Sequence, residues 1–302
     1  MFTNLSTPYY TPSGKTPVGG LGLFIIGGLL AAWLLGIAYT YVVEYIPFIY
    51  VNFLATLGFG FALGYVLNRL STIGRLRSPF KVVVLAAVIA LVGLWLHWAF
   101  FCAFFLNKHA EDVTLIPAYI YFLTSFPAVF DFAGKILETG HFTIGKSGSA
   151  ITGWALGGIW AIEALLILGV TVWFARAQSR MPYSEALGRW ANQEGLPTPL
   201  AHFADPRSAK ADLEAGNIAL LLHADLPGEN AMAFSTIVLH IVENDPDCHF
   251  LTLINVVLKV NKKGETEREE DIIVEHLRIT PEHCRELRVK FAEPQEASQS
   301  LS

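Results

Sequence analysis

The sequence predicts a membrane all-α four-helix bundle followed by a small cytoplasmic α+β domain with an antiparallel sheet. Three observations predict it. Of 302 residues, 53% are hydrophobic and only 16% charged, where a soluble domain carries about a quarter charged residues. Four apolar runs reach the roughly 20 residues that a helix needs to cross a bilayer. Finally, the chain changes character after residue 176. Beyond it there are 20 acidic and 12 basic residues, against 6 and 9 before it, and continuous apolar runs give way to alternating ones.

The first 17 residues, MFTNLSTPYYTPSGKTP, read as a polar and almost uncharged N-terminal tail. The spans follow at about 18–43, 48–67, 82–106 and 151–175, within a membrane domain of 18–176. The first run is too long for a signal-peptide core, so a retained helix is expected. Arg69, Arg75, Arg77 and Lys81 follow the second run, and Arg176, Arg180 and Arg189 follow the fourth. The connection after the first, YVVEYIPFIYVN, has no Lys or Arg. Basic residues gather on the cytoplasmic side, so both termini are expected there. The apolar stretch 113–139 is interrupted by Pro117, Pro127, Asp131 and Lys135. It is expected as short helices in the outer interface rather than a fifth span.

Small residues recur every four positions at Gly28, Ala32 and Gly36, at Thr56, Gly60 and Gly64, and at Gly153, Gly157 and Ala161. That spacing lets helix backbones approach in lipid. Internal packing is the expectation, and a homo-oligomer formed through such a face is the other reading. Two ionisable residues lie well inside the spans: His97 in LVGLWLHWAFF and Glu163 in IWAIEALLILG. Glu163 is near the middle of its run, where an unpaired charge costs several kcal/mol. With the third and fourth spans antiparallel, His97 falls within about one helical turn of the same depth. The two form a candidate intramembrane polar site, either a ligand site or relay, or an interhelical hydrogen bond that fixes packing.

The cytoplasmic α+β domain is expected over 177–293. MPYSEALGRWANQEGLP reads as a short amphipathic helix opened by Pro182, with Leu187, Trp190 and Ala191 on one face. DPRSAKADLEAGNIALLL reads as a second helical piece broken near Gly216. FSTIVLHIVEN, HFLTLINVVLKV and EEDIIVEHLRIT are rich in β-branched residues and read as strands, the last two joined by the hairpin signal NKKGE. The run ETEREED reads as part of a solvated hairpin. Thr280 and Pro281 suit the N-cap and first turn of a final helix. Residues 294–302 are expected to be a disordered tail.

Catalytic equipment is missing. No G-x-S-x-G, H-E-x-x-H or G-x-G-x-x-G occurs, so no catalytic residue is assigned. Cys248–His249 and His283–Cys284 supply four potential zinc ligands, but neighbours in a strand point to opposite faces and neither pair has C-x-x-C spacing. Neither a metal site nor a cofactor is expected. The acidic balance of the C-terminal part argues against nucleic acid. GHFTIGKS, Gly140 to Ser147, matches the phosphate-loop pattern at every fixed position. A phosphate loop, however, follows a buried strand inside a βαβ unit. This one leads into a membrane span on the outer side, so no nucleotide is expected at Gly140–Ser147.

EYIPFIYVNFLATLGFGFALGYVLNRL, with the third span and the fourth containing GWALGGIWAIEALLILG, resembles a group of uncharacterised bacterial multi-pass inner-membrane proteins with a cytoplasmic C-terminal domain. The similarity runs into MPYSEALGRW and the β-rich tail. It implies an inner-membrane location and four spans, and brings no reaction. Some of these proteins carry a C-x-x-C pair where Ser184 and Leu187 stand here. If they bind zinc there, this chain has lost those ligands and Cys248 is a remnant. The expected function is therefore non-enzymatic: a scaffold, sensor or partner-binding protein that sits in the lipid bilayer and presents its α+β module to a cytoplasmic protein. The alternative is a small transporter or channel-like protein that uses Glu163 and His97.

Overall fold

The computed structural model describes residues 8–46, 49–140, 151–228 and 231–292. It divides into two compact units, Ser13–Arg180 and a second in which Met1–Pro12 joins Met181–Ser302.

The first unit is helical: α1 (Val18–Tyr45), α2 (Ile49–Ile73), α3 (Pro79–His109), α4 (Leu115–Thr124), α5 (Phe126–Thr139) and α6 (Gly153–Ala175). Helices α1, α2, α3 and α6 are long and apolar enough to cross a membrane. Helix α3 starts with Pro79 in its first turn, where a missing amide hydrogen costs nothing. The break between α4 and α5 is at Ser125, whose side chain caps α5 by accepting from the Ala128 amide. The two helices meet at 106°, and together they have the length and apolar content of one broken span. Helix α4 is held by indole donors, from Trp33 to the Tyr119 hydroxyl at 3.1 Å and from Trp95 to the Leu123 carbonyl at 3.3 Å.

Helix α1 packs on α2 and α3, α2 packs on α6, and α3 packs on α4 and α6. Two of the three small-residue faces are consumed inside the chain. A Cβ on Gly28 would stand 2.7 Å from Leu67 Cδ2 and 2.8 Å from Ile89 Cδ1. One on Gly64 would stand 2.8 Å from Phe174 Cβ and 2.9 Å from the Thr171 carbonyl oxygen. Thr171 Oγ1 donates to the Gly60 carbonyl at 3.2 Å, and Asn68 Nδ2 to that of Phe174 at 3.0 Å. Such interhelical bonds are worth about 1 kcal/mol in lipid. The third face is not closely packed: a Cβ on Gly153 would meet nothing within 4 Å, and one on Gly157 only Leu137 at 3.7 Å.

The second unit holds β1 (Tyr183–Ser184), β2 (Arg189–Trp190), β3 (Asn192–Gly195), β4 (Leu200–Ala201), α7 (Pro206–Glu214), α8 (Ala219–Leu222), β5 (Ala233–Ile241), β6 (His249–Val260), β7 (Thr266–Arg278) and α9 (Pro281–Lys290). The main sheet is antiparallel with order β3-β5-β6-β7, and β4 pairs with the other half of the β5 edge. Its core face sets Ile237, Leu239, Leu251 and Leu253 against Leu213, Leu221 and Leu287 of the helices. Gly216, at φ +86°, follows the end of α7, and Gly264, at φ +82°, turns β6 into β7. Thr280 caps α9 by accepting from the His283 amide.

One expectation is corrected. MPYSEALGRWANQEGLP is not a helix but a hairpin of β1 and β2 followed by β3. Gly188 takes φ +65°, a left-handed turn rather than a helical residue. Tyr183 and Trp190 pair across the hairpin with ring centroids 4.9 Å apart, and β3 completes the sheet beside β5. The helical spacing of Leu187, Trp190 and Ala191 is coincidental, since cross-strand aromatic pairing and sheet closure outweigh it.

The N-terminal tail also has structure where it is described. Tyr9 bridges Leu277, the Tyr10 amide donates to the His276 carbonyl at 3.0 Å, and the Arg278 amide donates to that of Pro8 at 2.8 Å. An edge strand presents unpaired backbone groups, and residues 8–10 satisfy part of the β7 edge. The tail expected over 294–302 and the phosphate-loop-like residues 141–147 lie outside the described residues.

Candidate intramembrane site

Helices α1, α3 and α6 bring His97 and Glu163 to one cavity of about 80 Å³, lined also by Tyr39, Trp98, Trp160 and Ala164. His97 is buried and Glu163 is half-buried. Among the described residues no hydrogen bond or ion pair joins the two. They face a shared space rather than each other through a direct packing bond.

The partners of the lining groups fix which atoms they present. Thr40 Oγ1 donates to the Gly36 carbonyl at 3.0 Å, the usual i−4 bond of a helical threonine. Its single hydrogen is thereby used, so at 2.8 Å from His97 Nδ1 it accepts. The neutral ring then carries its hydrogen on Nδ1 and leaves Nε2 as an acceptor. The same logic holds between α1 and α2. Thr56 Oγ1 donates to the Asn52 carbonyl at 2.8 Å and so accepts from the Tyr39 hydroxyl, also at 2.8 Å. Rings surround the cavity: Tyr39 and His97 centroids are 4.6 Å apart, and Trp98 meets Trp160 edge to face at 4.8 Å. Thr40 and these rings escape a sequence reading, because a lone threonine or tryptophan in an apolar helix gives no sign of what it faces, and Thr56 shows there only as part of a small-residue face. Glu44, the acid of α1, is instead paired with Lys108 at 3.4 Å.

The C-terminal unit contains a polar recess as well. The turn Ser184–Gly188 closes through the Leu187 amide to Ser184 Oγ at 2.9 Å and the Gly188 amide to the Ser184 carbonyl at 2.9 Å. It lines one recess with the turn Asp245–Cys248. Position 184 thus offers a hydroxyl and 187 an apolar side chain. Burial and the neighbouring Asp245 carboxylate push the Cys248 thiol up to about 12, so it stays protonated and is a poor ligand. Cys284 faces the helix-covered core and does not join it. Among the described residues no group of three or more His, Cys, Asp or Glu could hold a metal ion, and the donors present do not fit zinc. In the same unit, His240 and His276 meet edge to face at 4.5 Å. Burial and the His276 ring lower His240 to about 4, against the pull of Glu275.

No protein family, curated protein or solved structure matches the chain.

Proposed function

We propose that the chain is a bacterial inner-membrane protein whose four spans form a bundle and whose termini are both cytoplasmic. In this reading it holds the α+β module at the bilayer as a scaffold, sensor or partner-binding unit. One observation carries the reading: residues 8–10 pair with β7. Residues before α1 and residues after α6 share one folded unit, so both leave the membrane on the same face. The number of crossings between them is then even. Four long helices satisfy that condition, and counting the bent α4–α5 pair as a fifth breaks it. Arg75 and Arg77 between α2 and α3, Arg69 and Lys81 at the adjoining helix ends, and Arg176 and Arg180 after α6 support the cytoplasmic face.

Reporter fusions after Asp112, after Gly140 and at the C-terminus test this. The first two are expected outside and the last inside. Opposite locations for Asp112 and Gly140 would make the bent pair a span and sink the reading. Crosslinked pull-down from native membranes then identifies the cytoplasmic partner. A second reading, a small transporter or channel-like protein, is favoured by the cavity holding Glu163 and His97. Solute or proton flux in liposomes, abolished by Glu163→Gln, is its test.

A further inference from the structure

We propose that the cavity between α1, α3 and α6 is a binding site for a small primary ammonium ion. The inference rests on reading those helices as membrane spans, and it names the ligand class of the second reading. It starts from the hydrogen-bond accounts of the lining groups. Tyr39 has given its hydroxyl hydrogen to Thr56. His97 has given its Nδ1 hydrogen to Thr40 and keeps Nε2 as an acceptor. Glu163 lines the same space with no hydrogen bond to any described residue. A carboxylate can only accept. With Glu163 ionised, the ionisable and hydroxyl-bearing side chains of this cavity present acceptors, and an occupant that donates satisfies them.

Charge narrows the class. A carboxylate near the middle of a membrane helix costs several kcal/mol unless it is paired, and among the described residues no Lys or Arg lines this space. A cationic occupant supplies the missing charge. Tyr39, Trp98 and Trp160 also line the space, and aromatic rings attract a cation once water is excluded. Size narrows it again, since about 80 Å³ admits a few waters or a short amine but no large solute. An ammonium group with free N–H bonds and a tail of one or two carbons meets all three conditions. Tetramethylammonium has the charge but no donor, and ethanol has a donor but no charge.

Equilibrium dialysis of radiolabelled ethylammonium against the full chain in detergent micelles tests the proposal. Saturable binding is expected, with weaker competition by tetramethylammonium and none by ethanol or sodium. Glu163→Gln is expected to weaken binding about tenfold or more. Ala164→Leu, which fills the cavity without altering charge, is expected to abolish it. Absence of saturable binding to the wild-type chain would overturn the proposal. Equal competition by ethanol, or unchanged affinity in both variants, would do the same, leaving the cavity a hydrated packing defect. Carbonate extraction separates the two failures. A chain released from membranes refutes the spans themselves, whereas a retained chain that ignores ethylammonium refutes the ammonium site alone.

Discussion

The Tyr10 amide donates to the His276 carbonyl at 3.0 Å, and it does so at a β-bulge. His276 takes φ +54°, and the register between β6 and β7 shifts between Leu251 and Leu253. The displaced His276 amide is recovered by Thr252 Oγ1 at 3.1 Å, and the Tyr10 ring packs on Phe250 with centroids 5.3 Å apart. A bulge on an edge strand twists the ladder and leaves backbone groups over. Here the chain's own N-terminal segment takes them up.

Tyr10→Pro removes that donor while keeping an extended backbone. It is expected to lower the stability of the C-terminal unit by about 1–2 kcal/mol and to expose the Arg278 amide to exchange. Hydrogen exchange of the full chain in micelles measures this. Unchanged protection at Arg278, whose amide bonds the Pro8 carbonyl at 2.8 Å, would show that the N-terminal pairing is dispensable.

Much of this architecture is legible because bilayer thickness and strand periodicity write themselves directly into residue order. Four apolar runs, the hairpin turn at Gly264 and the Thr280 cap all rest on signals within a few residues of one another. The hairpin at 183–190 is not legible in that way. Its strands are two residues long, and what favours them is Trp190 meeting Tyr183 and β3 meeting β5, contacts that no helical wheel contains. The docking of Tyr9 on Leu277 is further beyond reach, since it joins residues 268 positions apart across every span. The cavity between α1, α3 and α6 is intermediate. Glu163 and His97 stand out as costly residues in apolar helices, whereas Thr40, which sets the donor and acceptor of His97, does not.

The Cys248 thiol, pushed up to about 12 by burial and Asp245, should be chemically quiet in the folded chain. Thiolate is the reactive form, so at pH 8 alkylation is expected about a thousandfold slower than for a free cysteine. Mass-spectrometric timing of maleimide addition checks the rate. Chelation by EDTA is expected to leave the Tm unchanged, because the recess lacks a zinc-competent donor set. A drop in Tm on chelation would reinstate a metal there.

His240 makes the C-terminal unit acid-sensitive. The folded state holds it at about 4 because the ring is buried beside His276, while the unfolded chain returns it to about 6.5. The unfolded state therefore binds the extra proton first. Stability is full above about pH 6.5 and falls as pH drops towards 4, by up to about 3 kcal/mol. Thr252 Oγ1, at 3.3 Å from His240 Nε2, bonds the neutral ring. His240→Gln retains an acceptor and removes the titration. Urea titrations of both chains at pH 7.5 and 5 are expected to separate them, with the variant losing less on acidification. Equal losses would move the acid sensitivity to another group.

The contact between α2 and α6 depends on Gly64. An added side chain there meets Phe174 Cβ at 2.8 Å and the Thr171 carbonyl at 2.9 Å, so the helices must separate or rotate. Backbone and a Cβ give way less readily than the end of a flexible chain. Gly64→Val is expected to cost about 1–3 kcal/mol, the range for forcing volume into a packed interior. It should also weaken the Thr171 to Gly60 hydrogen bond, one turn along the same contact. Gly58 provides the control, since a Cβ there meets nothing within 4 Å and Gly58→Ala gains helix propensity. Thermal unfolding of both variants in micelles should give a lower Tm for Gly64→Val and an unchanged or higher one for Gly58→Ala. If both melt alike, the close approach of α2 and α6 contributes nothing to the stability of the helical unit.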